Sequence, residues 1–309
     1  MEFRRIGILG AGAVGAYALW GLAEAEGTEL CLVAEGARAE RLRRDGVTIN
    51  GREYRPTVKT PAESGALDLL IVALKYGALR EALPGIQMVT GPDTAIMSLM
   101  NGVDSEETIG AAVGMRHMVH ALIKVQSERR GSDIRFDPET TVGIVYGEAD
   151  PQAPEERTEA LGRLFARTPL RTRLSRNIVA EMWAKYLLNV SKNLPQAVLG
   201  VGAGAYDDSE HVRFLRDGLA AEVLAVAAAR GVDLAVLKEH AGTTSFIRPA
   251  ARFSTLQDLE AGRATEVDML AGALMRMGEE SGVATPFAAY TYHAVKALEE
   301  KNAGKFRYE

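Results

Sequence analysis

The sequence predicts an α/β fold, an N-terminal doubly wound, mostly parallel sheet followed by an all-helical C-terminal domain. Three observations predict it. The first half alternates short β-like runs with amphipathic helical ones. One of its strand candidates, "LDLLIVALK", is apolar throughout, as strands buried on both faces of a parallel sheet are. From about residue 175 the β signal fades, and apolar residues recur at helical spacing. The 309 residues suit two domains, placed at 1–172 and 173–309.

The elements follow in order. "RRIGILGAG" is a strand running into a Gly-rich turn, and "AVGAYALWGLAEAEG" is a helix that Gly27 ends. "TELCLVA" is the second strand, followed by the charged helix "RAERLRRDG". "VTINGREYRPTV" reads as a hairpin turning at Asn50-Gly51. "LDLLIVALK" and "GPDTAIMSLMNG" are further strands, and "GEADPQAPEERTEA" is a polar loop leading into a helix. In the second half four segments are helical by period. They are "NIVAEMWAKYLLNVSKNLPQAVL", "SEHVRFLRDGLAAEVLAVAAARG", "LQDLEAGRATEVDMLAGALMRMGEESG" and "PFAAYTYHAVKALEEKNAG".

Composition excludes several classes. Hydrophobic residues make up 47% and charged residues 25%, ordinary values for a globular chain. The net charge of −5 gives no global positive field for nucleic acid, and the arginines of "GARAERLRRDG" alternate with acids as on a solvated helix face. A single cysteine, Cys31 in an apolar run, rules out an intrachain disulfide and reads as a buried, inert thiol in a reducing compartment. Residues 6–23 are almost uncharged, but their glycines and the charges that follow argue against a membrane or signal segment. The chain therefore reads as cytoplasmic, with no membrane partner.

The turn in "GILGAGAVG" meets the three requirements of a dinucleotide fingerprint. It has a preceding strand, a following helix, and a polar residue about 20 positions on, here Glu35 directly after the second strand. Gly10 makes the tight turn, Gly12 lets the backbone approach a pyrophosphate, and Gly15 allows the helix to pack on the sheet. Together with Ala11, Ala13 and Val14 they form the cofactor-binding candidates of a Rossmann-type domain. Glu35 suits a ribose 2′-hydroxyl and hence NAD(H), whereas Arg38 and Arg41 close behind suit a 2′-phosphate, so spacing leaves the choice of dinucleotide open.

In the second half, "EMWAKYLLNVSKN" places Lys185, Asn189 and Asn193 at i, i+4 and i+8, on one face of a helix. A lysine flanked by amides on a half-buried face can polarise a carbonyl and protonate the alkoxide that hydride addition produces. By itself the same stripe also reads as a solvated face. "FSTLQDLEAGRATEVDML" carries Ser254, which with Gln257 reads as a capping box, and Glu266 within an amphipathic run. Of the five histidines only His117 and His120 lie close together. They sit in an apolar, β-like segment without cysteine or carboxylate neighbours, so no metal site is expected. No nucleophile-elbow G-x-S-x-G and no Walker-type G-K-[ST] occurs.

"GILGAGAVG", "LLIVALKYGAL", "LMNGVD", "WAKYLLN" and "FSTLQDLEAGRATEVD" together resemble, in order and spacing, the 2-dehydropantoate 2-reductase (ketopantoate reductase) family, over roughly residues 4 to 297. The resemblance implies a Rossmann domain, a helical domain and an active site in the cleft between them. It implies that Lys185 is the general acid at the keto oxygen and that Glu266 assists it. It places Asn101 near the nicotinamide and substrate, Lys75 towards the adenosine side of the cofactor, and Asn189, Asn193 and Ser254 on the substrate. The family cofactor is NADP(H). Two departures stand out. Glu35 replaces an arginine that pairs with the 2′-phosphate, and "NLPQAVLGVGAG" replaces the family's "NPLTA" and later Asn-Gly, leaving Ala203 for the substrate-side asparagine.

The expected activity is NAD(P)H-dependent reduction of 2-dehydropantoate, a branched 2-oxo acid, to pantoate. The alternatives are an NAD-dependent D-2-hydroxy-acid dehydrogenase on the same scaffold, as Glu35 and Ala203 would permit, and a non-catalytic dinucleotide-binding regulator. A 3-hydroxy-acid dehydrogenase also carries Asn four residues after Lys, but "NIVAEMWAK" lacks its Gly-rich lead-in. The expected partners are the small 2-oxo acid and a second copy of the chain in a homodimer.

Overall fold

The computed structural model describes residues 1–240 and 247–306, the side chains of residues 238–240 excepted. It comprises two compact units, Met1–Ile178 and Val179–Glu309. In chain order the strands are β1 (Arg5–Leu9), β2 (Glu29–Val33), β3 (Val47–Ile49), β4 (Arg52–Tyr54), β5 (Thr57–Lys59), β6 (Leu67–Val72), β7 (Thr90–Ser98), β8 (Met118–Lys124), β9 (Ser127–Arg130), β10 (Asp133–Phe136), β11 (Gly143–Gly147) and β12 (Thr172–Leu174). All lie in the first unit. Its helices are α1 (Ala13–Leu22), α2 (Gly36–Asp45), α3 (Pro61–Ser64), α4 (Leu79–Val89), α5 (Ser105–Val113) and α6 (Glu156–Phe165).

Eight strands form one sheet in the order β12-β11-β8-β7-β6-β1-β2-β5. Every neighbouring pair is parallel except β8 and β11. The chain leaves β1 outward to β2 and β5, then returns to β6 on the other side of β1, which creates the switch point of a doubly wound sheet there. The central strands are apolar because both faces are covered: Leu69, Leu70, Ile71 and Val72 of β6 are all fully buried. The predicted Asn50-Gly51 hairpin forms, with φ of 51° and 79° as a type I′ turn requires. Its strands β3 and β4 belong to a second sheet, β4-β3-β10-β9, and only β5 joins the main one. Phe136 of β10 packs edge-on against Tyr17 and Trp20 of α1.

The second unit is helical, with α7 (Ile178–Leu188) entering it, then α8 (Leu194–Leu199), α9 (Ala205–Asp208), α10 (Glu210–Ala229), α11 (Ser254–Glu260), α12 (Ala273–Ser281) and α13 (Pro286–Asn302). Two features differ from the periodicity reading. The helix expected through 177–199 is α from Ile178, then π over Asn189–Asn193, then α again. The long run expected over 256–282 breaks after Glu260, where Gly262 adopts a φ of 64°, and resumes as a π turn over Asp268–Gly272 leading into α12. A π turn leaves main-chain carbonyls outside the ordinary ladder, and here a tyrosine takes one from each. The Tyr206 hydroxyl donates to Lys192 O, and the Tyr186 hydroxyl donates to Leu270 O at 2.5 Å. Among the described residues, no helix is long and apolar enough to cross a membrane.

Candidate active site

The sheet register brings the first unit's candidates to one edge. Leu9 pairs with Val33 on one side and Val72 on the other, and Val72 pairs with Ser98. The Gly turn, Glu35, the segment reaching Lys75 and the turn holding Asn101 therefore all leave the carboxyl ends of neighbouring strands, where doubly wound sheets bind ligands. Two bonds continue the pairing outward, Ala73 N–H to Leu9 O and Leu99 N–H to Val72 O, each 2.8 Å.

The three glycines divide their work. A Cβ on Gly10, whose φ is +107°, would stand 2.4 Å from Ala73 O, and one on Gly15 would stand 1.8 Å from Gly10 O. Both positions are sealed against their own backbone. A Cβ on Gly12 would meet nothing within 4 Å. Gly12 is the N-cap of α1 and no side chain caps that terminus. Its N–H groups thus face open space that a methyl would fill, and the helix dipole there favours an anion. The residues fit a dinucleotide pyrophosphate.

Glu35 is the N-cap of α2, with an exposed side chain and a carbonyl that accepts from Ala39 N–H at 3.2 Å. Arg38 follows in the first turn. Burial lowers its pKa, and the charges of Arg41 and of Arg129 on β9 lower it further. None of these three guanidiniums has an ion-pair partner among the described residues, an arrangement that favours an added anion. Arg129 escaped the sequence reading because "SERRGSD" shows neither alternation nor apolar residues, and all four residues of β9 are exposed. Lys75 is exposed and precedes a 3₁₀ turn over Tyr76–Ala78. Asn101 is half-buried in the turn between β7 and α5.

The second unit holds the other candidates. Lys185 and Asn189 are half-buried and Asn193 is buried at 9% exposure. Because i→i+5 bonding over 189–193 slows the rotation per residue, the three do not keep the strict i, i+4, i+8 stripe of an unbroken α-helix. Glu266 is half-buried and stands at the start of its helical segment, not within it. Its carbonyl accepts from Met269 N–H and Leu270 N–H at 3.1 and 3.0 Å. The backbone just before it is held by Thr265, whose N–H and hydroxyl both donate to Glu299. The Tyr186 bond to Leu270 O, between residues 84 positions apart, joins the lysine helix to the glutamate segment, so these two motifs are neighbours within the unit.

Ser254 departs from its expected local role. The N-cap of α11 is Phe253, whose N–H donates to Gln196 Oε1 at 2.6 Å, while Gln257 reaches back to Arg252 O. Ser254 is therefore the first helical residue, exposed, with no capping box. Gln196 comes from the "NLPQ" departure. It is fully buried and also donates to Ala251 O at 3.0 Å, so it fixes the strap that leads to Ser254. Ala203 lies against the same strap, its N–H bonded to Ala251 O at 3.0 Å.

The remaining candidates play structural parts. Cys31 is buried, and burial pushes its thiol pKa up, which suits an inert group. His117 is not on a strand but ends a 3₁₀ turn, buried with Nδ1 2.8 Å from Thr94 O. His120 lies on β8, where burial lowers its pKa. Among the described residues no three potential ligands gather as for a metal, and the side chain of His240 lies outside them.

Two family models match the chain. "Ketopantoate reductase PanE/ApbA" matches residues 6–150 and "Ketopantoate reductase PanE/ApbA C terminal" matches 177–299. The 2-dehydropantoate 2-reductase of Mesorhizobium japonicum is 28% identical over 95% of this chain and 96% of its own length. Among solved structures, the complex of D-mandelate dehydrogenase with NADH superposes with a TM-score of 0.81 at 24% identity, covering 97% of this chain and 99% of that one. A PanE/ApbA family ketopantoate reductase from Ralstonia eutropha gives 0.77 at 24%, covering 96% and 99%. With one family model on each unit and a dinucleotide cradle ahead of the helical half, the chain belongs to the ketopantoate reductase family.

Proposed function

We propose that this protein reduces 2-dehydropantoate to pantoate with NADPH. The observation that carries the reading is the cradle, sealed at Gly10 and Gly15 and open at Gly12, in a chain matched along both halves by the ketopantoate reductase models. The bound nicotinamide supplies a hydride to C2 of the 2-oxo acid. Lys185 holds a proton on Nζ and delivers it to the keto oxygen as the alkoxide forms, so the ketone gains one hydride and one proton and becomes a secondary alcohol. Glu266 stabilises the protonated lysine beside the substrate, and Asn189, Asn193 and Ser254 bind the substrate's carboxylate and hydroxyl. Asn101 and Lys75 orient the dinucleotide at its two ends, and Arg38 and Arg41 take the 2′-phosphate in place of the arginine that Glu35 replaces. The buried Cys31 thiol suits a cytoplasmic setting.

A second reading, NAD-dependent reduction of another 2-oxo acid, draws on Glu35, exposed at the end of β2 where a ribose 2′-hydroxyl would lie. Initial rates with ketopantoate, taken with NADPH and NADH side by side, separate the two. Turnover with NADPH that Lys185→Ala lowers by orders of magnitude, with dinucleotide affinity intact, is the expected result. Turnover confined to NADH, or to other 2-oxo acids, favours the second reading. Turnover by the Lys185→Ala variant at the wild-type rate refutes the lysine's role.

A further inference from the structure

Residues 99–104 form the turn between β7 and α5 that carries Asn101 and Gly102, and Gly102 adopts a φ of 93°. Hydrogen bonds close this turn across its base. Ser98 Oγ lies 2.8 Å from Ser105 Oγ, and Ser105 Oγ donates to Glu106 Oε2 at 2.8 Å. Since Ser105 spends its only hydroxyl proton on the carboxyl, Ser98 donates to Ser105. Ser98 Oγ in turn accepts from Met100 N–H at 3.4 Å. The chain of donors therefore runs one way, from the amide just before Asn101, through Ser98 and Ser105, to Glu106. All three side chains are buried, at 0%, 1% and 1% exposure. A separate bond, Tyr76 hydroxyl to Asp104 Oδ2 at 2.5 Å, ties the far end of the turn to the loop that carries Lys75.

A glutamate is a costly way to fill this place. A carboxyl buried at a helix start could be replaced by an apolar side chain if only volume mattered. Burial pushes the Glu106 carboxyl up to about 7, so a large share is protonated at neutral pH, and in either state Oε2 can accept from Ser105. The residue's one fixed task is thus to orient the two serine hydroxyls towards itself and away from the Met100 amide.

We propose that Glu106 is a positioning residue for hydride transfer, acting through Ser105 and Ser98 to set the backbone of the Asn101 turn. The inference rests on the reading of this chain as a nicotinamide-dependent reductase. It assigns Glu106 no contact with substrate or cofactor. It predicts an effect on the orientation of the nicotinamide end of the dinucleotide, with little on affinity, which the cradle at Gly12 and the arginines of α2 supply.

The test compares Glu106→Leu, Glu106→Gln, Asn101→Ala and the Asn101→Ala/Glu106→Leu double variant. Arg157→Met serves as a stability control, since Arg157 bonds Glu148, Arg116 O and Met118 O and has no hydrogen bond to Ser98, Ser105, Glu106 or the Asn101 turn. For each, kcat with ketopantoate, the NADPH Kd and the emission of bound NADPH, which senses the nicotinamide's surroundings, are measured. Glu106→Leu is expected to lower kcat about tenfold and shift the emission with Kd changed less than threefold, while Glu106→Gln keeps the acceptor and restores both. The double variant is expected to be no slower than Asn101→Ala alone, because both losses pass through the same turn. Arg157→Met should lower the melting temperature without moving kcat or emission. Additive losses in the double variant, or a Glu106→Leu enzyme with wild-type kcat and emission, overturn the proposal. Wild-type protein that binds NADPH yet reduces no 2-oxo acid refutes the proposed function and leaves the emission to decide the role of Glu106. Protein that binds no dinucleotide refutes both.

Discussion

Gly12 and Gly15 stand three residues apart in one turn, and the same substitution should do opposite things to them. At Gly12, φ is −81° and ψ is −166°, a backbone any residue adopts, and an added Cβ has no neighbour. Gly12→Ala should therefore fold at least as well as the wild type, gaining up to about 0.5 kcal/mol from a less flexible unfolded chain. The methyl would, however, occupy the approach to the α1 terminus. A phosphate oxygen needs about 2.9 Å from an amide nitrogen to bond it, whereas a methyl holds it near 3.5 Å or beyond. Losing one charge-assisted bond costs about 2 kcal/mol, or roughly 30-fold in Kd. At Gly15 the new Cβ would overlap Gly10 O, a main-chain atom that cannot rotate away. Overpacking of this kind costs about 3 kcal/mol, enough to lower the melting temperature of a unit this size by roughly 10 °C. NADPH fluorescence titration and thermal melts on both variants read the two effects separately. A Gly12→Ala protein that binds NADPH within threefold of wild type, or a Gly15→Ala protein that melts with it, would refute the division of labour in the turn.

Three further outcomes are expected. The Glu106 carboxyl rises from its ordinary 4.5 to about 7 through burial. Below 4.5 it is protonated in folded and unfolded chains alike; between 4.5 and 7 the unfolded chain releases its proton first, so stability falls with rising pH by about 3 kcal/mol and then levels off. Urea midpoints at pH 5 and pH 8 should show this loss in the wild type and much less of it in Glu106→Gln, and parallel curves would contradict it. Glu222 of α10 accepts from Phe287 N–H and Ala288 N–H at 2.6 and 2.9 Å, capping α13 from a buried position. Glu222→Ala strands both donors and should cost about 2 kcal/mol in denaturant unfolding, and a loss under 0.5 kcal/mol would mean that water replaces the cap. Arg38→Ala should weaken NADPH binding tenfold or more while sparing NADH, read by competitive titration; equal loss with both dinucleotides would remove the 2′-phosphate from its assignment.

The sheet was legible because its central strands are continuous apolar runs and its fingerprint couples a strand, a turn and a helix within 30 residues. The Asn50-Gly51 hairpin was legible for a local reason too, since both residues accept positive φ. The second sheet was not. β9 is four exposed polar residues, and it pairs only because Gly131 turns the chain back onto β10. In the helical half, spacing identified the Lys185 stretch but could not reveal a π turn, which shifts hydrogen bonds by one residue without changing the apolar count. Ser254 misled because its capping-box spacing is real, while the N-terminus it would cap is fixed by Gln196, 57 positions away. Glu106 went unnoticed for the converse reason. "VDSEET" looks like a solvated helix start, and only the buried serines around it show that one of its three acids points inward.

The π turn over Asn189–Asn193 gives its helix a phase as well as an axis. An α-helix turns about 100° per residue, and the π turn already takes up one extra residue. Deleting one there would let the ladder close as ordinary α with α7 and α8 nearly in phase, whereas inserting one would rotate α7 against α8 by about that angle. Tyr186 would then face away from Leu270 O, and Lys185 would turn with it. The stretch can therefore lose its extra residue more readily than gain another, because a longer one uncouples the lysine from the segment that carries Glu266.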